Sequence, residues 1–221
     1  MGLFNFKKDK KIALNEEQMK SICDYIEKTY GQKPDVFHEI ESPDIHIDVL
    51  VISPTSERNY YTLITMGMSA YKMEIPQKYN GERLERCELM INLPANWNIH
   101  SQDENDYWPI RQLKETARMP INNNAWLALG HTIVNTNYEP FASNTKLCGF
   151  SLASSPINNF WFRELEKVNF YTLVPLYREE LEFSNKNGYP KLLDLFQVNN
   201  LPYPPIVDIN RQNMCNNNNL N

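Results

Sequence analysis

Four stretches rich in strand formers follow one another with little between them: residues 36–40, 45–52, 60–68 and 86–93. Ser42-Pro43 and Ser53-Pro54 punctuate the first three as turn signals. In the fourth, "RCELMINL", Cys87, Leu89 and Ile91 face one way and Glu88 and Asn92 the other. Helical patterns are spread unevenly around this block. Residues 15–30 carry Met19, Ile22, Ile26 and Tyr30 on one face, with Asn15 as cap, Glu16 and Glu17 at the positive end and Gly31 as stop. "WPIRQLKETARMP" (108–120) reads as a helix that opens on Pro109 and closes at Pro120, with Trp108 as an apolar staple at its start. "WLALGHTIV" (126–134) fits either a strand or a helical turn. Residues 146–153 and 168–175 read as further strands. Residues 176–184 and 189–197 read as helices divided by the Asn187-Gly188 turn. Consecutive strands early and scattered helices predict an α+β fold: a mixed, largely antiparallel sheet packed against helices.

The 221 residues, 42% hydrophobic and 12% aromatic, suffice for one sizeable core. With no repeat and no Gly/Ser linker, residues 15–197 read as a single domain. Residues 1–14 form a flexible basic arm carrying Lys7, Lys8, Lys10 and Lys11. Residues 198–221 form a Pro/Asn-rich tail, with Pro202, Pro204, Pro205 and the Asn216 to Asn219 run, expected to be partly disordered. A formal net charge of -5 offers no basic field for a nucleic-acid backbone. No secretory signal or membrane-length apolar run occurs, and Cys23, Cys87, Cys148 and Cys215 form no C-x-x-C pair, so a cytoplasmic protein with reduced thiols is expected.

Phosphate-cradling loops, a nucleophile elbow and H-E-x-x-H are all missing, and no cofactor is indicated. One stretch invites a chemical reading. In "SPDIHIDVLVISPT", Asp44, His46 and Asp48 alternate with Ile45, Ile47 and Val49. Two carboxylates around an imidazole can bind a metal or move a proton. They can equally be the wet face of a strand that runs from the rim into the core, since Leu50 and Ile52 continue the same face. Along a strand Asp44 and Asp48 stand about 13 Å apart, too far to share one ion without a bend. Gly67, inside "YYTLITMGMSAY", marks a bulge or the close approach of another backbone, and Gly130 has the same two readings. His131 beside it reads as a core or turn histidine, or as a ligand.

The blocks "SPDIHIDVLVISPTSERNYYTLITMGMSAYKM" (42–73), "RCELMINLPANW" (86–97), "WPIRQLKETARMP" (108–120), "WLALGHTI" (126–133), "PFASNTKLCGFSL" (140–152) and "FYTLVPLYREELEF" (170–183) together resemble the suppressor-of-fused domain family in its stand-alone bacterial form. The resemblance implies a domain without known catalytic activity. In animals the related protein holds a transcription-factor peptide as an added strand between this domain and a second one. Nothing after Gln197 could form that second domain. Bacterial members look like immunity proteins that neutralise toxins. Tyr71 is the equivalent that the resemblance implies for a peptide-contacting tyrosine.

The sequence therefore supports a non-enzymatic protein-binding domain whose partner is a toxin domain, with Asp44, His46, Asp48, Gly67, Tyr71 and His131 as candidate binding residues and no metal or cofactor. The competing reading is a metal-dependent or hydrolytic enzyme built on Asp44, His46 and Asp48. A third places a partner's strand at a sheet edge near Gly67.

Overall fold

A computed structural model describes residues 12–162 and 166–216. The basic run Lys7 to Lys11 and the end of the Asn-rich tail, residues 217–221, lie outside the described residues. Among the described residues, eight strands and four α-helices follow one another as α1 (Glu16–Tyr30), β1 (Asp35–Phe37), β2 (Asp48–Ile52), β3 (Tyr60–Met66), β4 (Cys87–Pro94), α2 (Glu104–Asn123), β5 (Thr132–Val134), β6 (Gly149–Ser154), β7 (Phe160–Phe162), β8 (Glu166–Leu176), α3 (Arg178–Asn187) and α4 (Tyr189–Val198). The sheet runs β1-β2-β3-β4-β8-β6-β5, with β7 also paired to β8. Every pairing is antiparallel except β4 with β8. This is the mixed, largely antiparallel α+β sheet that the sequence predicts.

Strand alternation divides the core in two. Val49, Val51, Leu63, Leu89 and Ile91 pack with Trp108, Leu113 and Ala117 of α2. Leu50, Ile52, Ile64 and Met90 pack with Ile22 and Ile26 of α1. Both faces of β2, β3 and β4 are thus covered, so these strands read as near-continuous apolar runs. Full burial of Ile22 and Ile26 contributes about 1.5–3 kcal/mol each. A third cluster seats Leu181, Leu192, Leu195 and Phe196 of α3 and α4 on Cys148, Val174 and Leu176.

α1 follows the sequence reading to the residue: Asn15 accepts from the Gln18 N–H in a capping box, and Gly31 closes the helix at φ +67°. α2 does not. Asp103 caps it, and Pro109 and Pro120 sit inside it. Pro109 has no N–H for the Asn105 carbonyl, and the side-chain amide of Asn144 donates to that carbonyl instead at 3.1 Å. Trp108 is fully buried rather than stapled at the helix start. The ambiguous stretch 126–134 is strand only at Thr132–Val134. The short β7 carries no sequence signal long enough to read.

The expected wet strand face is also different. Regular pairing of β2 starts at Asp48, and Ile45 makes only an isolated parallel bridge to Ile12. Asp48 is 3% exposed, and Glu88 and Asn92, read as the polar face of β4, are 0% and 1% exposed. The Pro-rich segment after Val198 follows the surface of the fold as far as Asn216, with Val207 and Met214 buried.

Candidate functional site

The six candidate residues fall at separate places. Asp44, His46 and Asp48 belong to a polar cluster around the connection between β1 and β2. The Asp48 carboxylate accepts the Glu39 N–H at 2.8 Å and lies 3.1 Å from His38 Nδ1 and 3.2 Å from His46 Nε2. His46 Nδ1 is 2.9 Å from Ser42 Oγ. Asp44 turns away from this pair, accepting from its neighbour Ile45 N–H at 2.6 Å and from Arg118 Nε at 3.1 Å. Arg118, on α2, also donates to Glu39 Oε1 at 2.5 Å, with Lys114 Nζ 3.6 Å from the same oxygen. Burial pushes the Glu39 carboxyl up, but hydrogen bonds from Ser42, Ile47 and Arg118 outweigh it and hold the group below its ordinary range.

Ser42, His46 and Asp48 stand in the order of an acyl-transfer relay, yet the proton traffic is wrong for one. Ser42 Oγ donates to Glu39 Oε2 at 2.7 Å, so its proton goes to a carboxylate and not to the imidazole. The hydroxyl belongs to a buried residue. Among the described residues no group of three or more His, Cys, Asp or Glu is disposed to hold a metal ion. The cluster ties α2 to the β1–β2 connection.

Gly67 resolves in favour of close backbone approach. Its φ is +139°, and a Cβ there would overlap the His46 carbonyl oxygen. β3 lies between β2 and β4, so Gly67 ends an interior strand and offers no edge for an added one. Its N–H donates to the Glu88 carboxylate at 3.0 Å, as does that of Ser69, while Thr65 and Ser69 hydroxyls donate at 2.6 Å. Burial still leaves the Glu88 pKa above its ordinary value. Tyr71 follows this turn, half-buried against the larger core cluster.

His131 lies elsewhere, in an aromatic cleft of about 610 Å³. The loop between α2 and β5 supplies Trp126, Leu129, Gly130 and His131. The Trp126 ring meets Tyr79 at 5.1 Å and the His131 ring edge-on at 4.4 Å. Tyr171 and Tyr189 complete the wall, and Gly130, at φ +83°, leaves the space that the Tyr189 ring fills. Burial pushes the His131 pKa below 6.5 and the Tyr171 and Tyr189 hydroxyls up. Leu129 is 50% exposed at the rim. Next to His131 runs β5, paired on one side only to β6 and last in the sheet among the described residues. The Met73 sulfur accepts the Leu127 N–H at 3.4 Å, which joins this loop to the segment after Tyr71. Gly130 beside His131 is the one local sequence signal of the cleft.

Comparison with known proteins matches residues 43–212 to the family described as suppressor of fused protein (SUFU). The chain belongs to the suppressor of fused family. Solved structures agree on the fold. The crystal structure of a Sufu–Fu complex superposes with a TM-score of 0.67 at 16% identity, covering 93% of each chain. A SUFU homolog from Neisseria gonorrhoeae FA 1090 superposes at 0.64 with 18% identity, over 90% of this chain and 98% of that one. Drosophila Suppressor of Fused superposes at 0.66 with 17% identity, over 91% of this chain and 54% of that one. No curated protein matches the chain. All six candidate residues of this SUFU-family domain lie inside the matched span.

Proposed function

We propose that this SUFU-family domain is a non-enzymatic protein-binding module, and that its role is to neutralise a toxin in the cytoplasm as an immunity protein. The observation that carries the binding role is the cleft of Trp126, Tyr79, Tyr171 and Tyr189 beside the free side of β5. Tyr and Trp at the mouth of a partly desolvated pocket are the residue types that dominate binding energy at protein interfaces. An open strand beside such a pocket can accept main-chain hydrogen bonds from an extended partner segment, with the pocket selecting one of its side chains. The cleft lining adds Asn158 and Asn159, exposed amides suited to peptide groups. Sufu in complex with Fu supports a protein partner for this fold. The toxin role rests on the resemblance to bacterial members, and the net charge of -5 suits a basic partner through faster encounter.

Co-expression with the toxin candidate encoded beside this chain's gene tests the reading. Protection of the cell and co-purification of the pair are expected. A chain that neither binds nor protects sinks the immunity role. Binding and protection both retained in Trp126→Ala would remove the cleft from it.

A further inference from the structure

The segment after α4 sits in a seat of its own, on residues separate from the aromatic cleft. The parallel ladder of β4 with β8 runs only over Cys87–Met90, while its pairing with β3 covers Met90–Pro94. Beyond Met90 the open side of β4 is taken by the chain's own residues 205–207. The Val207 N–H donates to the Asn92 carbonyl at 2.9 Å, and the Asn92 side-chain amide donates to the Pro205 carbonyl at 2.9 Å. Four residues later, Arg211 makes a two-pronged pair with Glu180 of α3, at 2.6 and 2.5 Å. The same guanidinium donates to the Pro175 carbonyl at 2.9 Å and lies over the Tyr177 ring at 4.9 Å. Glu180 is 0% exposed and also accepts the Met214 and Tyr177 N–H groups. Between these two anchors the segment lines one side of a groove of about 780 Å³, opposite Pro94, Trp97 and the start of α2.

Two properties make this seat selective. Glu180 is a buried carboxylate, and a buried charge without its partner is strongly destabilising. The fork geometry and the ring beneath it suit a guanidinium and not an ammonium. The Asn92 pair demands an extended main chain presenting a carbonyl and, two residues on, an N–H. Yet the occupant joins the sheet by a single main-chain hydrogen bond to β4. Segments held by few main-chain bonds open locally before the whole domain does.

We propose that the seat formed by Asn92, Tyr177 and Glu180 is a binding site for an arginine-bearing segment, extended where it meets β4 and turning before its arginine, which residues 201–216 mask as a built-in occupant. The recognised pattern is a carbonyl at i−2, an N–H at i and an arginine at i+4, where i is the residue at the Val207 position. Proline at the Pro205 position fixes φ there and favours extended backbone at the residue before it.

The full-length Arg211→Ala variant tests this against a labelled synthetic peptide of residues 201–214. The variant binds the peptide saturably, and wild type at the same concentration does not. A peptide with lysine at the arginine position binds at least tenfold more weakly, and one with alanine shows no binding. A folded variant that ignores the native-sequence peptide, or binds all three alike, overturns the proposal. If the variant does not fold, hydrogen exchange on wild type decides. A maskable seat requires the Val207 and Met214 amides to exchange at least tenfold ahead of those of Leu63 and Met90. Exchange of all four at one rate refutes it. None of these readouts involves a toxin, so failure here is separate from failure of the immunity role.

Discussion

The His46 carbonyl oxygen occupies the space where a Cβ on Gly67 would stand. Gly67 also holds φ +139°, in the region that disfavours side chains. Gly67→Ala therefore combines backbone strain with a backbone overlap that no rotamer relieves. A loss of about 2–6 kcal/mol is expected, the sum of two effects of roughly 1–3 kcal/mol each. Urea denaturation measures it. A loss under about 1 kcal/mol would show that the two segments separate freely.

Glu88 links the same turn to β4 through four donors. Glu88→Ala leaves the Thr65, Gly67 and Ser69 donors without their acceptor, at a cost of about 2–4 kcal/mol. The pH dependence has a definite sign. Burial raises the folded-state pKa above 4.5, so the folded state holds the proton longer than the unfolded one. This group's contribution is full below 4.5 and is lost as pH rises through the folded value. Glu88→Gln should therefore flatten that decline in melting temperature. An unchanged profile would place the titration elsewhere.

Glu39 titrates with the opposite sign. Its folded pKa lies below 4.5, held there by Ser42, Ile47 and Arg118 against the effect of burial. Its contribution is present above 4.5 and is lost as pH falls through the folded value. Arg118→Met leaves Glu39 and Asp44 without their shared partner and should cost about 2–3 kcal/mol. Glu39→Gln should remove part of the acid-side loss seen in wild type. Bound metal in protein purified without chelator, released by His46→Ala, would instead return the cluster to the catalytic reading.

The sheet was legible because its apolar runs are interrupted by Ser-Pro turns, and α1 because its cap and stop are local. α2 extends past both ends of its sequence reading because Pro109 and Pro120, which read as boundaries, sit inside it. The compensation at Pro109 comes from Asn144, 35 positions from Pro109 and invisible in the local pattern. Glu88, Asn92 and Asp48 looked like solvent-facing residues because alternation alone does not say that a second layer covers the polar side. Helix α1 does so here, packed on the face that carries Leu50, Ile52 and Met90. The aromatic cleft escaped because its rings come from four distant segments and only meet in the fold. The Glu180–Arg211 clasp escaped for the same reason, inside a stretch whose proline and asparagine content suggested disorder.

The cleft itself makes two separable predictions. Leu129 is half-exposed at the rim, so Leu129→Asp should leave the melting temperature within about a degree of wild type, as surface changes generally cost under about 0.5 kcal/mol. The same change places a charge in the contact surface and should weaken partner binding at least tenfold. Equal binding by the two proteins would move the interface away from the cleft. His131 supplies the pH arm. Burial holds its folded pKa below 6.5, so its contribution is present above 6.5 and is lost as pH falls through the folded value. Its ring resonances should titrate below 6.5 in the free protein. Partner occupancy, by burying the ring further against Trp126, should push that titration lower still. A titration that ignores the partner would show that nothing docks over the ring.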